Sequence, residues 1–478
     1  MMTISLALMG LLPLLGAIAM PFLKDRVTQN RVFILTLGLT LCAAIAFACS
    51  GVGTAAEWAF PGTGLVLRFD CDAITRLFAV LFAALFLLSG IFSLEYMDHD
   101  HAPGRYNLFF LLTLSAMLTL SAAQSLAAFY MCYEAMTILS LPLVLHEGTK
   151  GAMKAGMKYL GYSLFGASLA LFGFFLLGSF GDGSADVTVF QWGGHTVYTA
   201  TPALLWGAFC LLLGFGGKAG LMPLHYWLPT AHPVAPAPAS AVLSATITKA
   251  GVLGILRVLY FVLPLDLLRG TWVQKTMVIL ALCTVFTGSM LAYKEKLMKR
   301  RFAWSTVSQV SYVLFGLFLL TPLGLSAALM QVLYHAVCKT ALFLTAGAII
   351  HHSGVTQVTE LKGMGRRMPL LMVSYTLASL SLIGIPPFAG FVSKWALATN
   401  ALTTLPGLGV IGAAVLLVSA ILTAGYLLSI TIDAFFYKGA DNTPLHPTWR
   451  MLLPVGVLSL ALLILGLFPA LVAVPVLG

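Results

Sequence analysis

Apolar residues come in blocks of about 20, one after another along the chain, with short polar breaks between them. Read by hydropathy, the blocks fall at 3–22, 31–51, 72–94, 106–123, 124–145, 156–180, 201–228, 239–264, 272–292, 302–320, 324–350, 369–400, 406–437 and 451–476. The pattern predicts an all-α polytopic membrane protein with about 14 transmembrane helices. Blocks 201–228, 369–400 and 406–437 are longer than one crossing needs, which points to tilt, a break or an interfacial end.

Two of the long blocks are interrupted. In the seventh, Gly214, Gly216, Gly217 and Gly220 loosen the helix and Pro223 removes a backbone donor, with Lys218 among them. In the twelfth, Gly384, Pro386, Pro387 and Gly390 do the same, and Lys394 follows. Backbone groups freed at membrane depth must find partners in neighbouring helices, polar side chains or water, so a broken helix with a lysine at the break marks an ion pathway. Helices 7 and 12 are thus predicted to be discontinuous. They lie five spans apart and run in opposite directions, which is the mark of an inverted repeat. The predicted organisation is an N-terminal part, 1–105, with helices 1–3. Two inverted five-helix repeats follow, helices 4–8 over 106–264 and helices 9–13 over 272–437. A last part, 438–478, carries helix 14.

Composition agrees: 60% of the residues are hydrophobic and 9% charged, against about 25% charged in soluble domains. Charge then sets orientation. Loops after odd-numbered helices carry 17 basic residues, from Lys24 to Arg450, against 4 on the other side (Arg68, Arg76, Arg269, Lys275). The positive-inside rule places the first side in the cytoplasm, with both termini outside. The run Ile4–Phe22 lacks a small-residue cleavage site and reads as a retained span. The net charge of +10 resides in these short loops and is no nucleic-acid footprint. The 7 cysteines include no C-x-x-C, so no iron–sulfur or zinc pattern is present and no metal site is expected.

Five basic residues remain inside spans: Lys218, Lys249, Arg257, Lys339 and Lys394. A lysine near the middle of a membrane helix costs about 2.5–3.5 kcal/mol on insertion scales, and persists where it faces a protein-lined cavity. Glu134, in the apolar run Tyr130–Leu143, calls for a cationic partner or a polar cavity. His335 and Lys339 are four apart and share a helix face. Glu134, Lys218, Lys249, His335, Lys339 and Lys394 are therefore the candidate proton-translocation residues. His225 and His232 flank the break and are candidates for gating. Arg257, near the outer end of its span, reads as a packing or headgroup residue, and His351 and His352 as interfacial. A haem site would need facing histidine pairs at matching depth, and only His335 lies convincingly mid-membrane, so no cofactor is expected.

Four stretches carry a family resemblance: Pro223–Arg257 (PLHYWLPTAHPVAPAPASAVLSATITKAGVLGILR), Trp304–Gly316 (WSTVSQVSYVLFG), Tyr334–Ile350 (YHAVCKTALFLTAGAII) and Ser381–Trp395 (SLIGIPPFAGFVSKW). Together they resemble the antiporter-like subunits of the complex I superfamily. Its members include membrane-arm subunits of NADH:quinone oxidoreductase, of membrane-bound hydrogenases and formate hydrogenlyases, and of Mrp-type Na⁺/H⁺ antiporters. The resemblance runs from about Tyr106 to Tyr437. It implies 14 helices and places the family's helix-5 glutamate on Glu134 and its helix-7 lysine on Lys218. The helix-8 relay residue falls on Lys249, the helix-11 region on His335 and Lys339, and the helix-12 terminal residue on Lys394. Ser308 and Gln309 occupy the second-repeat region where Glu134 has its counterpart.

The function implied is a proton-translocating membrane subunit of a redox-driven pump or multisubunit cation/proton antiporter, with no redox centre of its own. Protons, or Na⁺, would be the cargo. The implied partners are other membrane-arm subunits and soluble redox subunits, in the lipid bilayer of a bacterial or archaeal cytoplasmic membrane. Two alternatives remain open on the residues alone: a Na⁺- or bicarbonate-linked transporter subunit, and a structural membrane-arm scaffold.

Overall fold

The computed structural model describes residues 2–62, 65–180, 189–194, 198, 201–439, 441 and 443–472. The first half is built from α1 (Met2–Ala19), α2 (Arg26–Cys49), α3 (Ala73–Tyr96), α4 (Pro103–Ala122), α5 (Leu126–Val144), α6 (Lys150–Phe180), α7 (Pro202–Ala219), α8 (Trp227–Val234), α9 (Ala237–Val242) and α10 (Thr248–Arg257). The second half comprises α11 (Leu265–Leu268), α12 (Trp272–Lys294), α13 (Met298–Phe318), α14 (Pro322–Ser353), α15 (Met364–Arg367), α16 (Pro369–Ile383), α17 (Ala389–Thr404), α18 (Leu408–Phe436) and α19 (Trp449–Leu467).

Among the described residues, 12 helical spans are long and apolar enough to cross a membrane. The two other expected blocks are also helical: 302–320 is α13, too polar to count by hydropathy, and 369–400 is α16 plus α17. The last expected helix, 451–476, is seen to Leu467 with a short turn after it, and its end at 473–476 lies outside the described residues.

Helix starts follow from local chemistry. Asp25, Asp72, Ser125, Thr201 and Thr321 each accept a bond from the first-turn backbone of the helix that follows, satisfying a donor that would otherwise be orphaned. Both predicted breaks end in the same motif. Gly220 (φ +89°) closes α7 while Leu221 N donates to Gly216 O at 2.8 Å. Gly384 (φ +92°) closes α16 while Ile385 N donates to Leu380 O at 3.2 Å. A left-handed residue is needed at each stop, and glycine takes that conformation without a Cβ penalty.

Three features went unread in the sequence. The expected eighth helix contains two π-helical turns, Leu243–Ile247 and Val258–Val262, and Lys249 follows the first. The connection after α2 forms an antiparallel hairpin, β1 (Gly53–Phe60) with β2 (Leu65–Cys71), so the chain is not wholly helical. Arg257 is not a headgroup residue: it is fully buried and paired with Asp72, the N-cap of α3, at 2.5 Å. A guanidinium that far from water is held by a carboxylate, not by packing.

Burial places the centre of the bundle. The span Ala237–Val262 is wholly enclosed and Pro322–Ser353 nearly so, whereas Met2–Phe22 and Leu408–Phe436 turn most of their surface outward. The outward side chains include Ile4, Leu15, Ile18, Leu417 and Ile421, as contact with hydrocarbon requires. The two innermost spans carry Lys249, His335 and Lys339.

Candidate functional site

The first cluster surrounds Lys218, two residues before the Gly220 stop of α7. Its ammonium nitrogen donates to Thr137 Oγ1 (α5), Tyr159 OH and Ser163 Oγ (both α6), each at 2.9 Å. Three donors meet three oxygens, so the cationic form is fully satisfied. Its Nζ also stands 4.3 Å from the Tyr159 ring centre, and Trp227 beyond the break donates to Gly217 O. Tyr159 OH shares a 2.6 Å bond with Ser140. Glu134 lies one turn before Thr137 on α5 but makes no ion pair among the described residues. Its Oε1 is buried without a hydrogen-bond partner among the described residues.

The second cluster sits between α10 and α14. Lys249 Nζ and His335 Nδ1 are 2.6 Å apart. Lys249 also donates to Ser244 O (2.8 Å) and approaches Thr248 Oγ1 (3.3 Å), both within or beside the π turn. A π turn widens the helix and frees a carbonyl, here used by the lysine. His335 Nε2 is buried and has no hydrogen-bond partner among the described residues. One turn further, Lys339 donates to Phe302 O at 3.1 Å.

The third cluster is at the second break. Lys394 donates to Leu382 O (2.5 Å) and Ile383 O (3.1 Å), carbonyls released at the end of α16. Its Nζ lies 4.9 Å from the Tyr312 ring centre. Next to it, Ser393 donates to Gln331 Oε1 (2.5 Å), and Gln331 donates to Gln309 Oε1 (3.3 Å). Gln331 is one turn before His335 on the same face of α14.

Lys218 and Lys249 are not hydrogen-bonded, but their helices touch. A Cβ on Gly251 would fall 2.5 Å from Phe215 O and 2.6 Å from Ala219 N, so only glycine lets α10 lie this close to α7. Of the gating candidates, His232 is wholly buried, its ring stacked 4.9 Å from Phe343, with neither nitrogen partnered among the described residues. His225 is partly exposed and packs near Trp304.

The chain has known relatives. Residues 123–423 match the family described as "NADH:quinone oxidoreductase/Mrp antiporter, TM". The chain belongs to this antiporter-like family. It is similar to hydrogenase-4 component B of Escherichia coli, 32% identical over 72% of this chain and 52% of that protein, so it spans about half the length of that relative. It is also similar to NADH-quinone oxidoreductase subunit N of Desulforudis audaxviator, 30% identical over 91% of this chain and 90% of the relative. Its fold matches a chain of the Mrp complex from a Dietzia species (TM-score 0.83, 24% identical, covering 99% and 97% of the two chains). It matches equally a chain of respiratory complex I from Thermus thermophilus (TM-score 0.83, 23% identical, covering 99% and 98%).

Within this antiporter-like subunit, the charged residues of the three clusters had all been singled out in the sequence, and few of the neutral ones. Thr137, Tyr159, Ser163, Gln331 and Ser393 were missed. Helical spacing could have found some of them: Thr137 is three residues after Glu134, and Tyr159 and Ser163 are four apart, each pair on one helix face.

Proposed function

We propose that the chain is a proton-translocating membrane-arm subunit of a multisubunit complex, of the redox-driven or Mrp-antiporter kind, in a bacterial or archaeal cytoplasmic membrane. The observation that carries this is the buried Lys249–His335 contact. Two nitrogen bases at hydrogen-bond distance, away from water, hold one excess proton between them and can pass it across the bond. A scaffold has no need of such a pair.

His335 has two ends. Its Nδ1 faces Lys249 and its Nε2 is unpartnered, so a proton taken at Nδ1 leaves from Nε2 on the far side of the ring. Protons pass along Lys218, Lys249, His335 with Lys339, and Lys394, in that order. Water carries the steps between clusters, since hydrogen bonds reach only about 3 Å. Glu134 supplies the counter-charge for Lys218 without a direct bond. His232 and Lys299, whose amine donates to Ala235 O at 2.7 Å, line the intake from the basic loops. These loops face the cytoplasm, both termini face outside, and helices 4–8 and 9–13 are the inverted repeats.

The test is proton uptake by proteoliposomes holding the intact complex. Lys249→Met should slow it by about 10²-fold while the complex still assembles, and normal uptake in that variant would refute the role. Orientation is tested separately by labelling a lone cysteine at Lys296, expected to be accessible from inside, and at Gly478, which lies outside the described residues and is expected to be accessible from outside.

A further inference from the structure

The connections at the basic end of the bundle bring together side chains that translocation does not use. Asp100 and His101 lie between α3 and α4, and His146 lies between α5 and α6. His146 Nε2 is 2.9 Å and His101 Nδ1 is 3.5 Å from Asp100 Oδ1. One ligand atom from each residue falls within 4.8 Å of the other two. We propose that Asp100, His101 and His146 form a binding site for one borderline divalent metal ion, with zinc the best-fitting case.

Ligand chemistry and geometry argue for it together. Two imidazoles and one carboxylate suit zinc and its neighbours rather than magnesium or calcium, which take oxygen ligands. Zinc bonds of about 2.0–2.2 Å in a tetrahedron set ligand atoms about 3.3 Å apart, and the two measured separations from Asp100 bracket that value. The groups are held before any ion arrives: the Ala102 amide donates to Asp100 Oδ1 at 2.8 Å, and the His146 side chain is only 1% exposed. The His101 side chain is 57% exposed, so the site has a buried floor and an open mouth for a fourth, water ligand.

One group opposes the ion. Arg105 Nη2 stands 3.2 Å from His101 Nε2 and donates to His146 O at 2.6 Å. It is an exposed side chain at the start of α4, and it meets Nε2 of His101, whereas the nitrogen that faces Asp100 is Nδ1. An ion here ties the α3–α4 connection to the end of α5, the helix that carries Glu134 and Thr137.

The experiment is equilibrium dialysis of the purified intact complex against zinc, with cobalt absorbance as a second reading. Wild type should bind one equivalent that His101→Asn loses or holds at least about tenfold more weakly, and Asp100→Asn should do the same. His101 is exposed, so its variant folds even if one at buried His146 does not. Equal stoichiometry and affinity in wild type and His101→Asn would overturn the proposal, as would a wild-type complex that retains no zinc.

Discussion

The side-chain nitrogens of Lys249 and His335 lie 2.6 Å apart, though 86 residues separate them in the chain. Two unit charges at that distance repel by about 6 kcal/mol even at an effective dielectric constant of about 20. Both groups therefore cannot be cationic together, and the pair has a one-proton capacity. His335→Asn keeps the size and a hydrogen-bonding group but carries no proton, so it should lower proton uptake by about 10²-fold. The double variant with Lys249→Met should be no worse than the poorer single one, because residues that act as a unit are not additive. Multiplying losses, measured as initial uptake rates, would show that the two act independently.

At Lys218 the three oxygens at 2.9 Å are arranged for an ammonium. Lys218→Met should abolish uptake with assembly intact. Lys218→Arg should also fail, because guanidinium does not release a proton in proteins. Tyr159→Phe removes one acceptor of three and should slow uptake less than either. An arginine variant with wild-type rates would mean that Lys218 supplies fixed charge and no transferable proton.

Lys394 caps carbonyls at the second break. Lys394→Glu should keep part of the uptake, since a carboxyl can also bind and release a proton, whereas Lys394→Ala should lose most of it. Uptake at matched protein content separates the outcomes. If alanine serves as well as lysine, the residue only caps the break.

The packing of α10 on α7 depends on Gly251. A side chain there meets backbone atoms that cannot yield, and overpacking of this kind costs about 1–3 kcal/mol. Gly251→Val should lower the melting temperature of the purified complex and slow uptake as Lys218 and Lys249 move apart. An unchanged melting curve would mean that the helices part without cost.

The Asp72–Arg257 pair makes a prediction about pH. Asp72 precedes the first residue of α3. Burial alone would raise its pKa, but the charge and hydrogen bonds of Arg257 outweigh that and hold it at about 2. A carboxylate depressed in the folded state stabilises the fold at every pH above its unfolded value, about 3.9, and loses that effect as pH falls towards 2. Asp72→Asn should cost about 3 kcal/mol by leaving a buried cation unpaired. The gap in melting temperature from wild type should stay constant between pH 5 and 8 and shrink below pH 4. A gap that varies across the neutral range would assign the loss to another group.

The sequence by itself determined the class, the order of the spans, both helix breaks and which charged residues lie inside the spans. Each of these is local. A run of about 20 apolar residues, a glycine that must take a positive φ, or a lysine inside a span can be read without knowing what lies beside it. Partnerships were decided only in three dimensions. Glu134 was expected to have a cationic partner or a polar cavity, and it makes no ion pair among the described residues, while Thr137, Tyr159 and Ser163 hold Lys218. Arg257 was expected at a headgroup and instead reaches Asp72, 185 residues away. The hairpin Gly53–Cys71 and the π turn before Lys249 were likewise unread. The reason is common to them all: a buried polar group must find a partner, and in a helical bundle that partner sits on whichever helix packs alongside. Hydropathy names the residues that need partners, and only the packing of α5, α6, α7, α10 and α14 chooses them.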